Sequence, residues 1–120
     1  MNLRKILTEI KTLSFVVLLT FILCLAACEA QKEFLVTVND HVTGKPIDSV
    51  HVVFKAGKNG DYNKSGAEGY TDSTGKFHAS FMIGCSFGCY DIFMELHKKG
   101  YSSMKIAEPK DTISVDLKRE

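Results

Sequence analysis

Apolar and polar residues alternate with a period of two along most of the chain beyond Glu33, and this alternation limits the fold more than any other feature of the sequence. Successive side chains of a β-strand point to opposite faces of a sheet, so each alternating segment is predicted to be a half-buried strand. No stretch beyond Glu33 has a sustained helical period. The clearest alternating segments are residues 34–38, 50–54, 77–81, 90–96 and 113–117.

Turn residues separate these segments at regular intervals. Gly44, Pro46, Gly75 and Gly100 each stand between two alternating runs, where glycine and proline have backbone reasons to occur. Short strands with turns every 8–12 residues or so are typical of an antiparallel sandwich. We therefore predict an all-β, seven-stranded antiparallel sandwich. Residues 56–69, which contain four glycines, are predicted to be one long loop.

The N-terminal segment predicts the compartment. Arg4, Lys5 and Lys11 precede residues 12–28, a run of 17 residues without a charge. A helix that spans a bilayer needs about 20 apolar residues, so this run is short for an anchor. A basic start, an apolar stretch and small residues at its end are typical of a secretory signal.

The end of that run resembles a lipobox. Leu25-Ala26-Ala27-Cys28 is similar to the sequence at which bacterial lipoproteins are acylated and cleaved. The resemblance implies a lipoprotein signal peptide at 1–27, an acylated tether at 28–33 and a β-sandwich domain at 34–120. It also implies lipid on Cys28 and a place in the bacterial cell envelope, at the outer membrane. A plain transmembrane helix with a chance cysteine is the alternative, and which leaflet the protein faces stays open.

Four segments in order resemble a known domain family. Residues 43–47 (TGKPI), 69–77 (GYTDSTGKF), 90–96 (YDIFMEL) and 99–101 (KGY) look like the carboxypeptidase regulatory-like domain. The resemblance covers about residues 34–117 and implies a transthyretin-like Greek-key sandwich. Residues 56–69 and the cysteine-bearing segment 83–89 depart from the family pattern.

Cys85 and Cys89 are the two cysteines that remain after lipidation and cleavage. In an oxidising compartment two such thiols are predicted to form a structural disulfide, although their oxidation state stays open at this point. Redox pairs normally have two residues between their cysteines, and here there are three. A zinc site would need two further ligands, which the neighbouring sequence does not supply.

No metal or cofactor site is predicted. The four histidines have no spacing typical of metal ligands; they are His41, His51, His78 and His97. Residues 61–72 partly match a calcium-binding loop, but the template ends in a bidentate glutamate flanked by helices. Here Asp72 takes that position and strands are predicted on both sides.

The functional prediction is a lipid-anchored, non-catalytic binding or structural module. Charges nearly balance, with 15 Lys+Arg and 14 Asp+Glu, so a nucleic-acid partner is not expected. Transthyretin-like hydrolases of 5-hydroxyisourate use a His/Arg/His set and a C-terminal Tyr-Arg-Gly-Ser, whereas this chain ends in DLKRE. Exposed strand edges and residues 56–69 are the expected contact surface for a protein or glycan. The alternative is an accessory subunit of an outer-membrane transporter or envelope peptidase.

Overall fold

The computed structural model describes residues 3–26, 29–86 and 88–120. Within these ranges the chain forms one helix followed by seven strands. The helix α1 is Leu3–Ala26, and the strands are β1 (Glu29–Asp40), β2 (His51–Lys58), β3 (Asp61–Tyr70), β4 (Lys76–Gly84), β5 (Asp91–His97), β6 (Met104–Ala107) and β7 (Thr112–Leu117).

The strands form two sheets, with orders β4-β1-β7 and β3-β2-β5-β6. The prediction of an all-β fold is confirmed at this level. The prediction that every pair is antiparallel is wrong, because β1 and β7 are parallel. Parallel neighbours need a long crossover, and the whole second sheet lies between β1 and β7 in the chain and supplies it.

One apolar core lies between the two sheets. Phe34 of β1 stacks on Phe54 of β2 with ring centroids 4.7 Å apart, and its ring is 5.7 Å from that of Phe81 on β4. Alternate side chains of β2, β5 and β7 are buried or half-buried and face the core, because period two alone decides which face a side chain takes. The fully buried side chains of both sheets include Val36, Val38, Val52, Met94, Leu96 and Leu117.

Two segments that we expected to be irregular are strands. Residues 29–33, predicted to be a tether, form the start of β1 and pair with β4, where the Gln31 side-chain amide donates a hydrogen bond to Ser80 Oγ (2.8 Å). Residues 56–69 are most of a hairpin that turns at Asn59 and Gly60, whose φ angles are 55° and 84°. Positive φ at both central residues fits the tight turn that Asn-Gly favours between antiparallel strands.

Helix α1 extends further than the uncharged run. An 18-residue window within Leu3–Leu23 has a mean hydropathy of 2.0, and none of that window is buried in the protein. By length and composition this helix could cross a membrane, and the uncharged run that overlaps it has the 17 residues counted in the sequence. Secretory signals and membrane anchors both have this form.

The strand directions define two poles of the sheet domain. Glu29 pairs with Gly84, and Lys58 Nζ donates to the Ser86 carbonyl oxygen (3.1 Å), so the start of β1, the β2–β3 turn and residues 85–86 and 88–91 share what we call the anchor pole. The segments 40–47 and 98–101 and the C-terminal Arg119 share the opposite end, the far pole.

Candidate functional site

The solvent-facing side of the four-stranded sheet carries several ring side chains together with charged ones. Strand register arranges its residues in three rows across β3, β2, β5 and β6. The first row is Tyr70, His51 and His97; the second is Glu68, Val53, Glu95 and Lys105; the third is Gly66, Lys55, Phe93 and Ala107. We call this surface the outer face of the four-stranded sheet.

The first row is a stack of rings. The His51 ring stacks on Tyr70 with centroids 5.0 Å apart, and the ring of His97 lies 6.3 Å from that of His51. His51 Nε2 is 3.0 Å from a carboxylate oxygen of Glu68, and His97 Nδ1 is 3.1 Å from Ser103 Oγ. Tyr70 is 65% exposed, so one edge of this stack is open to a partner.

The spacing of the histidines in the sequence does not predict that any two of them meet, but the structure places two of them opposite each other. His51 and His97 are 46 positions apart but pair directly across β2 and β5. Only the strand register could reveal this, and register is not encoded in local spacing. Within the described parts of the chain, no group of three or more His, Cys, Asp or Glu side chains is arranged to hold a metal ion.

The second and third rows combine paired charges with aromatic rings. Lys55 Nζ lies 3.5 Å from a Glu95 carboxylate oxygen. Lys105 Nζ lies 4.9 Å from the centroid of the Phe93 ring, a cation–π contact, while Tyr62 meets Phe93 edge to face at 4.8 Å. The charges on this surface therefore neutralise one another locally.

Two depressions lie beside Tyr62. One, of about 400 Å³, opens where Gly66 contributes no side chain, and Tyr62, Asn63 and Glu68 are among its lining residues. The other, of about 200 Å³, is lined by Tyr62, Asn63, Lys55, Glu95, Phe93, Lys105 and Gly60. A Cβ at residue 66 would lie 2.1 Å from the Phe54 carbonyl oxygen, so glycine is needed there for the close strand approach.

The opposite outer surface, on the three-stranded sheet, is different. In the described residues its outward side chains include no tyrosine or phenylalanine. They are Lys76, His78, Ser80 and Met82 on β4; Gln31, Glu33, Leu35 and Thr37 on β1; and Thr112, Ser114 and Asp116 on β7. The aromatic asymmetry between the two faces singles out the four-stranded sheet as the candidate site.

A buried carboxylate organises the far pole. Asp40 accepts hydrogen bonds from the backbone N–H groups of Val42 (2.8 Å) and Thr43 (3.0 Å), from the Tyr101 hydroxyl (2.8 Å) and from Arg119 Nε (2.9 Å). The Thr43 N–H, the Tyr101 hydroxyl and the Arg119 guanidinium together hold the pKa of Asp40 well below its usual range. The same contacts raise the pKa of Arg119. We call Asp40, Tyr101 and Arg119 the Asp40 cluster.

The Asp40 cluster has a structural role, because the hydrogen bonds to its carboxylate hold together the chain segments that meet at the far pole. The ring of Tyr101 packs against the apolar core. Its bond to Asp40 was missed, since the two residues are 61 positions apart. No local signal marks Asp40 as different from any other turn aspartate.

The predicted cysteine sites have different outcomes. Cys85 and Cys89 form a disulfide at the anchor pole, which indicates an extracytoplasmic location. Cys28, the predicted lipidation site, lies outside the described residues, and its acylation stays a prediction.

Comparison with known proteins gives a fold likeness and no family. No protein-family model matches the chain, and no curated protein matches its sequence. The crystal structure of 3-chlorocatechol 1,2-dioxygenase from Rhodococcus opacus 1CP is similar, with a TM-score of 0.57 and 12% sequence identity over 75% of this chain. The chain spans about 60% of the length of that protein.

This likeness corrects one functional prediction. We expected a protein that is not an enzyme, and a solved structure that resembles it is that of a dioxygenase. The fold is therefore compatible with catalysis, and the prediction of a non-catalytic protein is withdrawn. At 12% identity the likeness shows the fold alone and transfers no reaction to this chain.

Proposed function

We propose that the protein is a lipid-anchored module of the bacterial cell envelope that binds a partner through the outer face of the four-stranded sheet. The observation that carries the proposal is the row of stacked rings on that face, with Tyr70 65% exposed, whereas the described outer surface of the three-stranded sheet has no tyrosine or phenylalanine. Tyrosine and similar amphipathic side chains supply large contact areas at low entropic cost, and a sheet holds them rigidly.

The proposed anchor is diacylglycerol and an acyl chain on Cys28, which would hold the protein at the outer membrane. Two or more acyl chains give stable attachment, whereas one chain holds only weakly. Since β1 begins at Glu29, the strand starts immediately after the proposed lipid, without a tether. On this proposal β1 runs away from the bilayer, and the outer face of the four-stranded sheet is open to neighbouring envelope components.

We also propose that the two sheets form a transthyretin-like Greek-key sandwich of the carboxypeptidase regulatory-like kind. The arrangement of three and four strands supports this, and so does the turn at Gly75. Gly75 has a φ of 74°, and a Cβ there would lie 2.5 Å from the Val38 carbonyl oxygen. The family pattern places a glycine at this turn, and the backbone requires one.

Substituting Cys28→Ser is expected to abolish lipidation. Cells grown with labelled palmitate should label the natural protein, and the labelled protein should fractionate with the outer membrane. The substituted protein should carry no label and should keep its signal helix, because cleavage follows acylation in the resembled family. Cys24→Ser is the matched control and should be labelled like the natural protein. Label on the Cys28→Ser protein, or none on the natural one, would contradict the proposed anchor.

A photo-crosslinking residue tests the binding face. Placed at position 70 of the full chain in the native cells, it should capture an envelope component. At position 78, which is exposed on the opposite outer surface, it should capture none or far less. Equal capture at both positions would show that the partner does not select the outer face of the four-stranded sheet.

A further inference from the structure

We infer that the two depressions beside Tyr62 bind a neutral oligosaccharide. This inference rests on the proposed function and names the ligand class of the same face. It begins from two rings: Tyr62 lines both depressions, and its ring meets that of Phe93 in a T-shaped contact with centroids 4.8 Å apart. The C–H face of a pyranose ring packs on such aromatic surfaces, while its hydroxyl groups remain available for hydrogen bonds.

The polar lining suits hydroxyl groups. Lys55 offers three N–H donors, Glu95 offers only acceptor sites, and the Asn63 amide offers both. Glu95 contacts Lys55 Nζ at 3.5 Å and His97 Nε2 at 3.8 Å, and these two contacts leave further donor sites on Lys55 and acceptor sites on Glu95 for a ligand. A sugar hydroxyl donates and accepts at the same time, so it can bridge a lysine and a carboxylate that already lie 3.5 Å apart.

The charge balance argues against a charged ligand. Lys55 is paired with Glu95, His51 with Glu68, and Lys105 lies over the Phe93 ring. No excess of one sign remains to attract a polyanion or an acidic lipid surface. Neutral polar ligands gain most from such a lining, because they form hydrogen bonds without leaving a buried charge unpaired.

The dimensions favour a chain of sugars. The depressions have volumes of about 400 and 200 Å³, at or below the lower end of the sizes usual for ligand sites. Lys55 in the third row and His51 in the first are four residues apart on β2, which corresponds to roughly 13 Å. One sugar ring cannot cover that distance, but a linear oligosaccharide can contact both Tyr62 and the exposed Tyr70.

A protein partner is the competing occupant. A stable protein interface buries about 800 Å² on each side around an apolar centre. Here the rings are separated by the second row, in which Glu68, Glu95 and Lys105 leave Val53 as the one apolar residue, so the described surface between the rings is mainly charged. The face is therefore better matched to a ligand that alternates apolar and hydroxyl surfaces.

The test uses the full lipidated chain in micelles of a zwitterionic detergent, because detergents with sugar head groups would compete. Maltohexaose, cellohexaose and fully N-acetylated chitohexaose are the neutral probes, and a hexamer of galacturonic acid is the anionic one, with binding followed by NMR and calorimetry. At least one neutral hexaose should bind in preference to the anionic probe. Tyr62→Ala should weaken that binding by about tenfold or more, which corresponds to about 1.4 kcal/mol.

Matched variants separate the ring from the hydroxyl and from the fold. Tyr62→Phe keeps the ring and should retain binding, while His78→Ala on the opposite surface should change nothing. If Tyr62→Ala does not fold, Lys55→Gln serves instead and should also weaken binding. Absence of binding by all three neutral probes, a preference for the anionic probe, or equal binding by Tyr62→Ala and the natural protein would overturn the inference. If the sugar test fails in one of these ways, capture of a protein by the photo-crosslinking residue at position 70 would still support the proposed function. Equal capture at positions 70 and 78, or none, would contradict both the proposed function and the inference.

Discussion

Replacing Phe34 by alanine is expected to destabilise the domain by about 3–5 kcal/mol, the cost typical of removing a large aromatic side chain from a core. Phe34 is 1% exposed, and its ring packs against Phe54 of the other sheet and Phe81 of the neighbouring strand. The substitution therefore leaves a cavity where three rings now meet. Since a domain has only about 5–15 kcal/mol of stability, much of it would be lost.

The matched control for this prediction is the next residue of the same strand. Leu35 points to the outer surface of the three-stranded sheet and is 39% exposed, so Leu35→Ala should cost well under half as much as Phe34→Ala. Urea unfolding of each full-length variant in micelles, followed by circular dichroism at the β-sheet minimum, gives the comparison. Similar unfolding midpoints for the two variants would show that the stacked rings are not the centre of the core.

Local pattern predicted which side chains face the core. The alternation at 77–81 and 113–117 was correct because the two faces of a strand follow from geometry that each residue carries with it. Strand partners do not follow from that pattern. The parallel contact between β1 and β7 depends on where the chain returns after crossing the second sheet, and no short segment encodes it.

The prediction of irregular structure was wrong for parts of two strands because those segments have a polar composition. Residues 29–33 and 61–69 are rich in charged, amide and small side chains, which are typical of solvated segments. The first pairs with β4 and the second with β2, so their backbone hydrogen bonds are satisfied even though few of their side chains are buried. The Asn59-Gly60 pair is typical of a tight hairpin turn, but the other glycines of residues 56–69 favoured the prediction of a loop.

The candidate site was predicted in part. The segment 56–69 was expected to carry the contact surface, and it does supply Tyr62, Asn63 and Gly66 to the depressions. Besides Lys55 of β2, the remaining lining of the smaller depression comes from β5 and β6, through Phe93, Glu95 and Lys105. These residues are more than 25 positions away, and only the register of the sheet brings them beside Tyr62.

Substituting Asp40→Asn is expected to weaken the far pole at neutral pH and to flatten the response of stability to acid. An asparagine side chain has the same shape, but its NH₂ group would face donors where the carboxylate now accepts four hydrogen bonds. Two of those bonds, from the Tyr101 hydroxyl and Arg119 Nε, join distant segments and would be lost first. The contact between the 40–47 segment and the C-terminus would loosen as a result.

The direction of the pH effect follows from the lowered pKa of Asp40. A carboxylate whose pKa is lower in the folded state stabilises the fold above its unfolded pKa of about 3.9, and that contribution disappears as the pH falls through the lower, folded value. The natural protein should therefore exceed the Asp40→Asn variant in urea midpoint most clearly above about pH 5, and the gap should narrow in stronger acid. Asp116→Asn, at an exposed position of β7, is the control and should unfold like the natural protein at neutral pH. A gap between the natural protein and Asp40→Asn that stays constant from neutral pH into strong acid would show that the ionised carboxylate is not what holds the far pole together.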